Sequence, residues 1–101
     1  MDGVTVELDK TRIIRFTNSA LKQAEMIALK ETGISITKLL QGQAMFYVIP
    51  LLVWAGLRRE DPSLTRNMVE TLIEGRLDEV GGLVATALDT AGLIGGNATR
   101  T

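Results

Sequence analysis

Apolar and polar side chains alternate with a period of two at the start of the chain. Residues 4–8 show this alternation, which is typical of a half-buried β-strand. The polar residues 9–11 predict a turn, and residues 12–16 predict a second strand with Ile14 and Phe16 on one face. The two segments are close enough to pair as a β-hairpin. Because an isolated hairpin is only marginally stable in water, we expect it to pack on helices or to pair with another chain.

After Phe16 the apolar positions recur at helical spacing, so the remainder of the chain is predicted to be helical. The predicted helices cover about residues 18–32, 36–41, 44–59, 66–74 and 77–91. Residues that favour helix ends flank them: Thr17 or Asn18, Gly33, Ser35, Gly42, Thr65, Gly75 and Gly92. The sequence therefore predicts an α+β fold, with an N-terminal β-hairpin followed by a compact bundle of four to five helices.

The segment 44–59 is apolar on nearly all sides, so we place it at the centre of the core. Pro50 removes a backbone donor and clashes with the preceding turn, which predicts a kink or a helix start near it. The longest apolar run, residues 44–57, has about 14 residues, against the roughly 20 that span a bilayer. We therefore interpret it as a buried helix, and we expect no membrane segment. The first residues lack the basic and apolar regions of a signal peptide.

The last predicted helix has the most regular apolar stripe in the chain. Its members are Leu77, Val80, Leu83, Val84, Ala87, Leu88 and Ala91. We interpret Gly81 and Gly82 as positions that allow close helix packing, because neither has the Lys-Ser/Thr of a phosphate-binding loop or follows a strand. In the helix before it, Met68, Val69, Leu72 and Ile73 are predicted to cover one side of the core. We interpret Met26, Met45 and Met68 as core-filling residues, and an adaptable binding surface is the alternative.

Composition narrows the classes of function. The chain has 101 residues, which we assign to a single domain, residues 1–94, and a flexible C-terminal tail, residues 95–101. Its 11 basic and 12 acidic residues give a net charge of −1, without the basic footprint of a nucleic-acid-binding protein. With no Cys and no His it lacks thiolate and imidazole catalysis and the metal sites built on those ligands. We expect no enzyme activity, no cofactor and no metal.

Two pairs of adjacent carboxylates are the remaining candidates for acid/base chemistry. Glu60 and Asp61 lie in a predicted loop, and Asp78 and Glu79 lie in the first turn of the last helix. Neighbouring residues on a helix point about 100° apart, so the second pair does not converge on one substrate atom. We interpret both pairs as solvated charges, the second one favourably placed at a helix N-terminus.

Three of the four aromatic residues lie in the central helix. Tyr47 and Trp54 are seven residues apart and share one helix face, and we interpret them, with Phe46, as core residues. If one side of the helix is uncovered, the same face becomes an anchor for a partner, because Trp and Tyr are frequent hot-spot residues. Arg58 follows on this face and either contacts an anion or interacts with the helix dipole. The candidate protein-binding residues are therefore Tyr47, Trp54 and Arg58.

The order of elements resembles the small tail assembly chaperones of long-tailed phages and the related gene-transfer-agent tail proteins. The resemblance covers roughly residues 4–92 and is carried by several segments. These are residues 4–8 with 12–16, Phe16-Thr17 leading to Ala20-Leu21 and Glu25, residues 33–35, 52–58 and 61–65, then Val69, Leu72, Ile73, Val80, Val84, Ala87 and Leu88. Pro50 departs from the family pattern.

The resemblance implies a non-catalytic role in the cytoplasm of a bacterial host. Members of the family bind the long, helix-rich tape-measure protein, bring tail-tube subunits to it and are absent from the finished particle. The expected partners are therefore the tape-measure protein and the tail-tube protein. The alternative is a structural tail component, a tube or connector subunit that stays in the virion. Self-association into a homo-oligomer is a further way to cover apolar surface in a chain that is 46% hydrophobic.

Overall fold

A computed structural model describes residues 3–42 and 44–90 of the chain. Its elements in chain order are β1 (Val4–Glu7), β2 (Thr11–Ile14), α1 (Asn18–Thr32), α2 (Ile36–Gln41), α3 (Met45–Leu57), α4 (Arg66–Leu72) and α5 (Leu77–Thr90). The α+β fold of one hairpin and five helices is therefore confirmed. Ala91 of the predicted stripe and the predicted tail, residues 95–101, lie outside the described residues.

The two strands form an antiparallel hairpin whose register pairs Val4 with Ile14. Ile14 and Phe16 are buried on one face, as predicted. Arg12 lies on the same face, because side chains two residues apart in a strand point the same way, and it is only 3% exposed. Two hydrogen bonds of 2.8 and 2.9 Å join its guanidinium to the carboxylate of Asp9, and a third of 3.3 Å reaches Asp61. These bonds satisfy a charge that burial alone would exclude from the core.

Helix α3 is the centre of the core, as its uniformly apolar sequence predicts. The hairpin strand β2 and the helices α1, α2, α4 and α5 all pack on it. The helix begins at Met45 and runs through Pro50, so a helix start near Pro50 is wrong. Pro50 lacks the N–H that would bond to the carbonyl of Phe46, but that carbonyl belongs to the first turn, at a residue that is 84% exposed. The missing hydrogen bond therefore falls in the exposed first turn of α3 rather than in its buried middle.

One helical glycine, Gly56, lets the hairpin approach α3 closely. A Cβ atom on Gly56 would lie 2.7 Å from Cγ2 of Ile14 and 3.2 Å from Cε1 of Phe16. The Arg15 N–H also donates to the Gly56 carbonyl at 3.0 Å, which fixes the end of the hairpin on the helix. The close packing predicted for Gly81 and Gly82 is wrong, because a Cβ on Gly81 would make only ordinary contact and one on Gly82 would meet nothing within 4 Å.

Most helix ends follow the predicted caps, but the prediction that Gly75 ends α4 is wrong, because its C-cap is Ile73, and Gly92 lies outside the described residues. The Thr17 hydroxyl accepts a hydrogen bond from the N–H of Ala20 at 3.0 Å, and the Thr65 hydroxyl accepts one from Met68 at 3.1 Å. Gly33 has the left-handed φ of 75° that ends α1. Two predicted helices are longer than the observed ones, because α3 ends at Leu57 and α4 ends at Leu72.

Large apolar side chains outside the core correct two further expectations. Met26, Met45 and Met68 are exposed, so their interpretation as core-filling residues is wrong, and Phe46 is not a core residue either.

Within residues 3–42 and 44–90, none of the helices combines the length and the apolar character that crossing a bilayer requires.

Candidate functional site

An apolar groove lies between α2, the first half of α3, and α5. Its volume is about 530 Å³. The lining residues are Thr37, Leu40 and Gln41 of α2, Met45 and Ile49 of α3, and Leu77, Asp78, Gly81, Val84, Ala85 and Leu88 of α5. We call this feature the α5 groove.

The groove exists because α2 and α5 both pack on α3 and leave a gap between them. Both α2 and α5 pack on α3, but in the described part of the chain they do not pack closely on each other. Ile49, Val84 and Leu88 are buried at its base, whereas the polar lining residues are exposed at its margin. The α5 groove therefore has an apolar floor with a polar edge, the arrangement found in protein-binding and ligand-binding sites.

Gly81 keeps the middle of the groove open. A Cβ atom at this position would lie 3.7 Å from Cδ1 of Ile49, which is ordinary van der Waals contact. A side chain at residue 81 therefore has room to extend into the groove without a clash at its base. Along α5 the lining runs from Leu77 to Leu88, a distance of about 16 Å at 1.5 Å per residue. This length matches three turns of a helix.

The chemistry of the lining favours an apolar partner over a reactive substrate. Asp78 is the one charged residue among the lining residues, and it is exposed. A helix bound in such a groove would place apolar anchors at positions i, i+3 or i+4, and i+7 against the floor. No group of three or more Asp or Glu residues in the described part of the chain is arranged to hold a metal ion.

Tyr47 belongs to a polar cluster on another side of α3. Its hydroxyl donates to Oε1 of Glu31 at 2.6 Å, and Arg66 holds the same carboxylate through bonds of 2.8 and 3.1 Å. The guanidinium of Arg66 also lies 5.7 Å from the centre of the Tyr47 ring. The hydrogen bonds from Arg66 and Tyr47 lower the pKa of Glu31 from 4.5 to about 2. Burial and the bond to Glu31 raise the pKa of Tyr47.

Trp54 and Arg58 form a second cluster on the same side of α3. The indole N–H of Trp54 donates to the Leu64 carbonyl at 3.1 Å, which fixes the ring under the loop before α4. The Arg58 guanidinium lies 4.9 Å from the centre of the Trp54 ring and donates to the side-chain carbonyl of Gln23. Arg58 is therefore positioned by a cation–π contact and a hydrogen bond to α1.

The predicted residues and the α5 groove lie on opposite faces of α3. Successive residues of a helix are about 100° apart, so Ile49 points about 200° from Tyr47, whereas Trp54 and Arg58 return to within about 20° of it. The structure thus brings Tyr47, Trp54 and Arg58 to one face, as predicted, but does not bring them into the groove. Tyr47 and Trp54 are half-buried, with their polar ends bonded inside the protein.

One member of each carboxylate pair is held in a structural contact. Asp61 accepts bonds from Arg12 and Ser63, and the hydroxyl and N–H of Ser63 hold its pKa below the ordinary range. Glu79 pairs with Arg76 at 2.9 Å, which lowers the pKa of its carboxyl. Asp61 and Glu79 are therefore each engaged with residues other than their neighbour in the pair.

Comparison with family models, with curated proteins and with solved structures finds no match to this chain. The α5 groove is thus identified by its geometry alone. Sequence reasoning missed it because the groove depends on the distance between α2 and α5, which no local pattern encodes. One signal for it was present, since Leu77, Val84 and Leu88 of the predicted apolar stripe line the groove.

Proposed function

We propose that this protein is a non-catalytic phage tail assembly chaperone that binds an amphipathic helix of the tape-measure protein and helps to recruit tail-tube subunits. The α5 groove is the observation that carries the proposal, since it offers an apolar floor about three helical turns long. The resemblance of residues 4–92 to tail assembly chaperones supplies the identity of the partner. We place the activity in the cytoplasm of the bacterial host during assembly.

The physical reason for a chaperone is the exposed apolar stripe of its client. A long helical protein shows such stripes to water until tube subunits cover them, and unprotected stripes associate with each other. When the client helix binds in the α5 groove, about three turns of its apolar stripe are removed from water. This burial contributes a favourable free energy of roughly 25 cal/mol per Å² of apolar surface. The loss of translational and rotational freedom offsets much of this gain. The resulting modest affinity allows tube subunits to displace the chaperone through its dissociation rate.

The groove can be blocked by one substitution for which the chain offers a matched control. Gly81→Leu places a side chain in the groove, whereas Gly82→Leu adds the same side chain at the next position of α5, which is exposed. We expect Gly81→Leu to weaken binding of a purified tape-measure fragment at least tenfold in isothermal titration calorimetry, and Gly82→Leu to leave it unchanged. Both variants should retain the circular dichroism of the parent protein. Equal binding by all three proteins contradicts the role of the groove.

Three further measurements separate this role from its alternatives. A variant that ends at Thr90 should bind the fragment as tightly as the full chain, because the lining residues all lie between 37 and 88.

Mass spectrometry of purified particles should not detect the protein, and its presence there would favour a structural tail component. Light scattering distinguishes a groove filled by a second copy, because Gly81→Leu would then convert a dimer into a monomer.

A further inference from the structure

Three arginines surround a cleft at the end of α3 that lies apart from the α5 groove. The cleft has a volume of about 290 Å³. Arg15 enters it from the chain after β2, and Arg58 and Arg59 enter from the C-terminal end of α3. Its other polar lining residues are Thr17, Ser19 and Gln23, at the start of α1. We call this feature the arginine cleft.

The arginines of the cleft are not neutralised by ion pairs. In residues 3–42 and 44–90, carboxylates lie within 4.0 Å of Arg12, Arg66 and Arg76, and of no other arginine. Glu60 is the nearest acidic residue along the chain; it lines a neighbouring pocket with Arg15 and Arg59, and its carboxylate accepts the backbone N–H of Ile13 at 3.4 Å. A protein with a net charge of −1 thus has three cationic side chains together at one cleft.

The surrounding structure fixes the side chain of Arg58 and the backbone of Arg15. The Trp54 ring and Gln23 position Arg58, and the bond from the Arg15 N–H to the Gly56 carbonyl fixes the backbone that bears the Arg15 side chain. The N-terminal end of the 15-residue helix α1 adds partial positive charge, and its first turn has no acidic residue to offset it. Positively charged groups that are fixed before binding lose less entropy when an anion arrives.

We propose that the arginine cleft is a second docking surface, which binds an acidic segment of a protein partner through its carboxylates. Arginine matches carboxylate geometry with paired N–H donors. Charge complementarity argues for a short acidic segment, because the net negative charge of the whole protein opposes a long polyanion such as a nucleic acid. This inference goes beyond the proposed function, because Arg58 lies about 14 Å along α3 from Ile49 of the groove and on the other face.

The test uses a synthetic peptide with three consecutive glutamates flanked by glycine and serine. Titrated into the full ¹⁵N-labelled protein, it should shift the amide resonances of Arg15, Gln23 and Arg59. We expect Arg15→Gln with Arg59→Gln to weaken binding by about fivefold for each arginine removed. The control is Lys10→Gln with Lys38→Gln, which removes the same charge from exposed positions outside the cleft and should leave the affinity unchanged.

Each outcome decides for or against the proposal. Binding that weakens with added salt, and that is lost when the three glutamates are replaced by glutamines, supports it. Equal loss in the lysine control, or binding of inorganic phosphate as tight as that of the peptide, overturns it. Gly81→Leu should bind the acidic peptide normally, so failure of the groove and failure of the cleft are distinguishable.

Discussion

Substitution of Gly56 by alanine tests how the hairpin is seated on the central helix. Alanine normally stabilises the interior of a helix by about 1 kcal/mol relative to glycine. At Gly56 the added methyl group would lie 2.7 Å from Ile14 and 3.2 Å from Phe16, and both side chains are buried. The two effects therefore oppose each other, and the structure decides which is larger.

The contact with Ile14 determines the sign. Carbon atoms make favourable contact at about 3.5–4.0 Å, so a separation of 2.7 Å requires the hairpin or the helix to move. Extra methyl groups in a well-packed core cost typically about 1–3 kcal/mol. After the gain in helix propensity is subtracted, we expect Gly56→Ala to destabilise the protein by about 1 kcal/mol. The hydrogen bond from Arg15 to the Gly56 carbonyl would also be strained by this movement.

Urea unfolding monitored by circular dichroism measures this change, with Gly82→Ala as the matched control. The methyl group at residue 82 meets nothing within 4 Å, so this variant should be about 1 kcal/mol more stable than the parent. The two variants should then differ by about 2 kcal/mol, or about 10 °C in Tm for a domain of this size. Gly56→Ala with parental or higher stability would refute the seating of the hairpin against Gly56.

Two further predictions test the surface of the protein. The pKa of Glu31 is about 2 in the folded protein, against 4.5 for a glutamate without these contacts, as in the unfolded chain. The ionised carboxylate therefore stabilises the fold fully above pH 4.5, and this stabilisation is lost as the pH falls towards 2. Thermal melts between pH 2 and pH 6 should therefore show a smaller loss of Tm in Glu31→Gln than in the parent protein. Because Phe46 is 84% exposed, Phe46→Ser should change the free energy of unfolding by less than about 0.5 kcal/mol, whereas Leu52→Ala in the core should cost about 2–5 kcal/mol in urea unfolding.

The secondary structure could be predicted because its signals are local. Alternation at residues 4–8 and 12–16 predicts the hairpin, and the caps at Thr17 and Thr65 predict where α1 and α4 begin. Each of these signals depends on residues within one or two turns of the element that it specifies. The same local reasoning overestimates how strongly Pro50 disrupts the helix. It does not take into account that the Phe46 carbonyl, to which residue 50 would otherwise donate, lies in the exposed first turn of α3.

Burial and close packing could not be predicted in the same way. Phe46 is apolar in an apolar helix, but its direction carries it away from every element that covers α3. Gly56 and Gly81 are both helical glycines, and only the position of the hairpin shows that the first needs to be small. Arg12 follows the alternation of a buried strand face, but its ion partner Asp61 is 49 residues away in sequence.

The position of the two candidate surfaces on α3 bears on how the proposed chaperone would release its client. As proposed above, the α5 groove would bind apolar surface, whose burial depends little on salt, whereas the arginine cleft would bind charge, which also speeds encounter. Because they share no lining residue, and Arg58 lies about 14 Å along α3 from Ile49, one partner need not displace another. In the proposed function, two weak and separate contacts would allow tube subunits to remove one client at a time, and a single tight site would resist that exchange. The central helix, apolar on nearly all sides, is what allows both surfaces to be built on a domain of about one hundred residues.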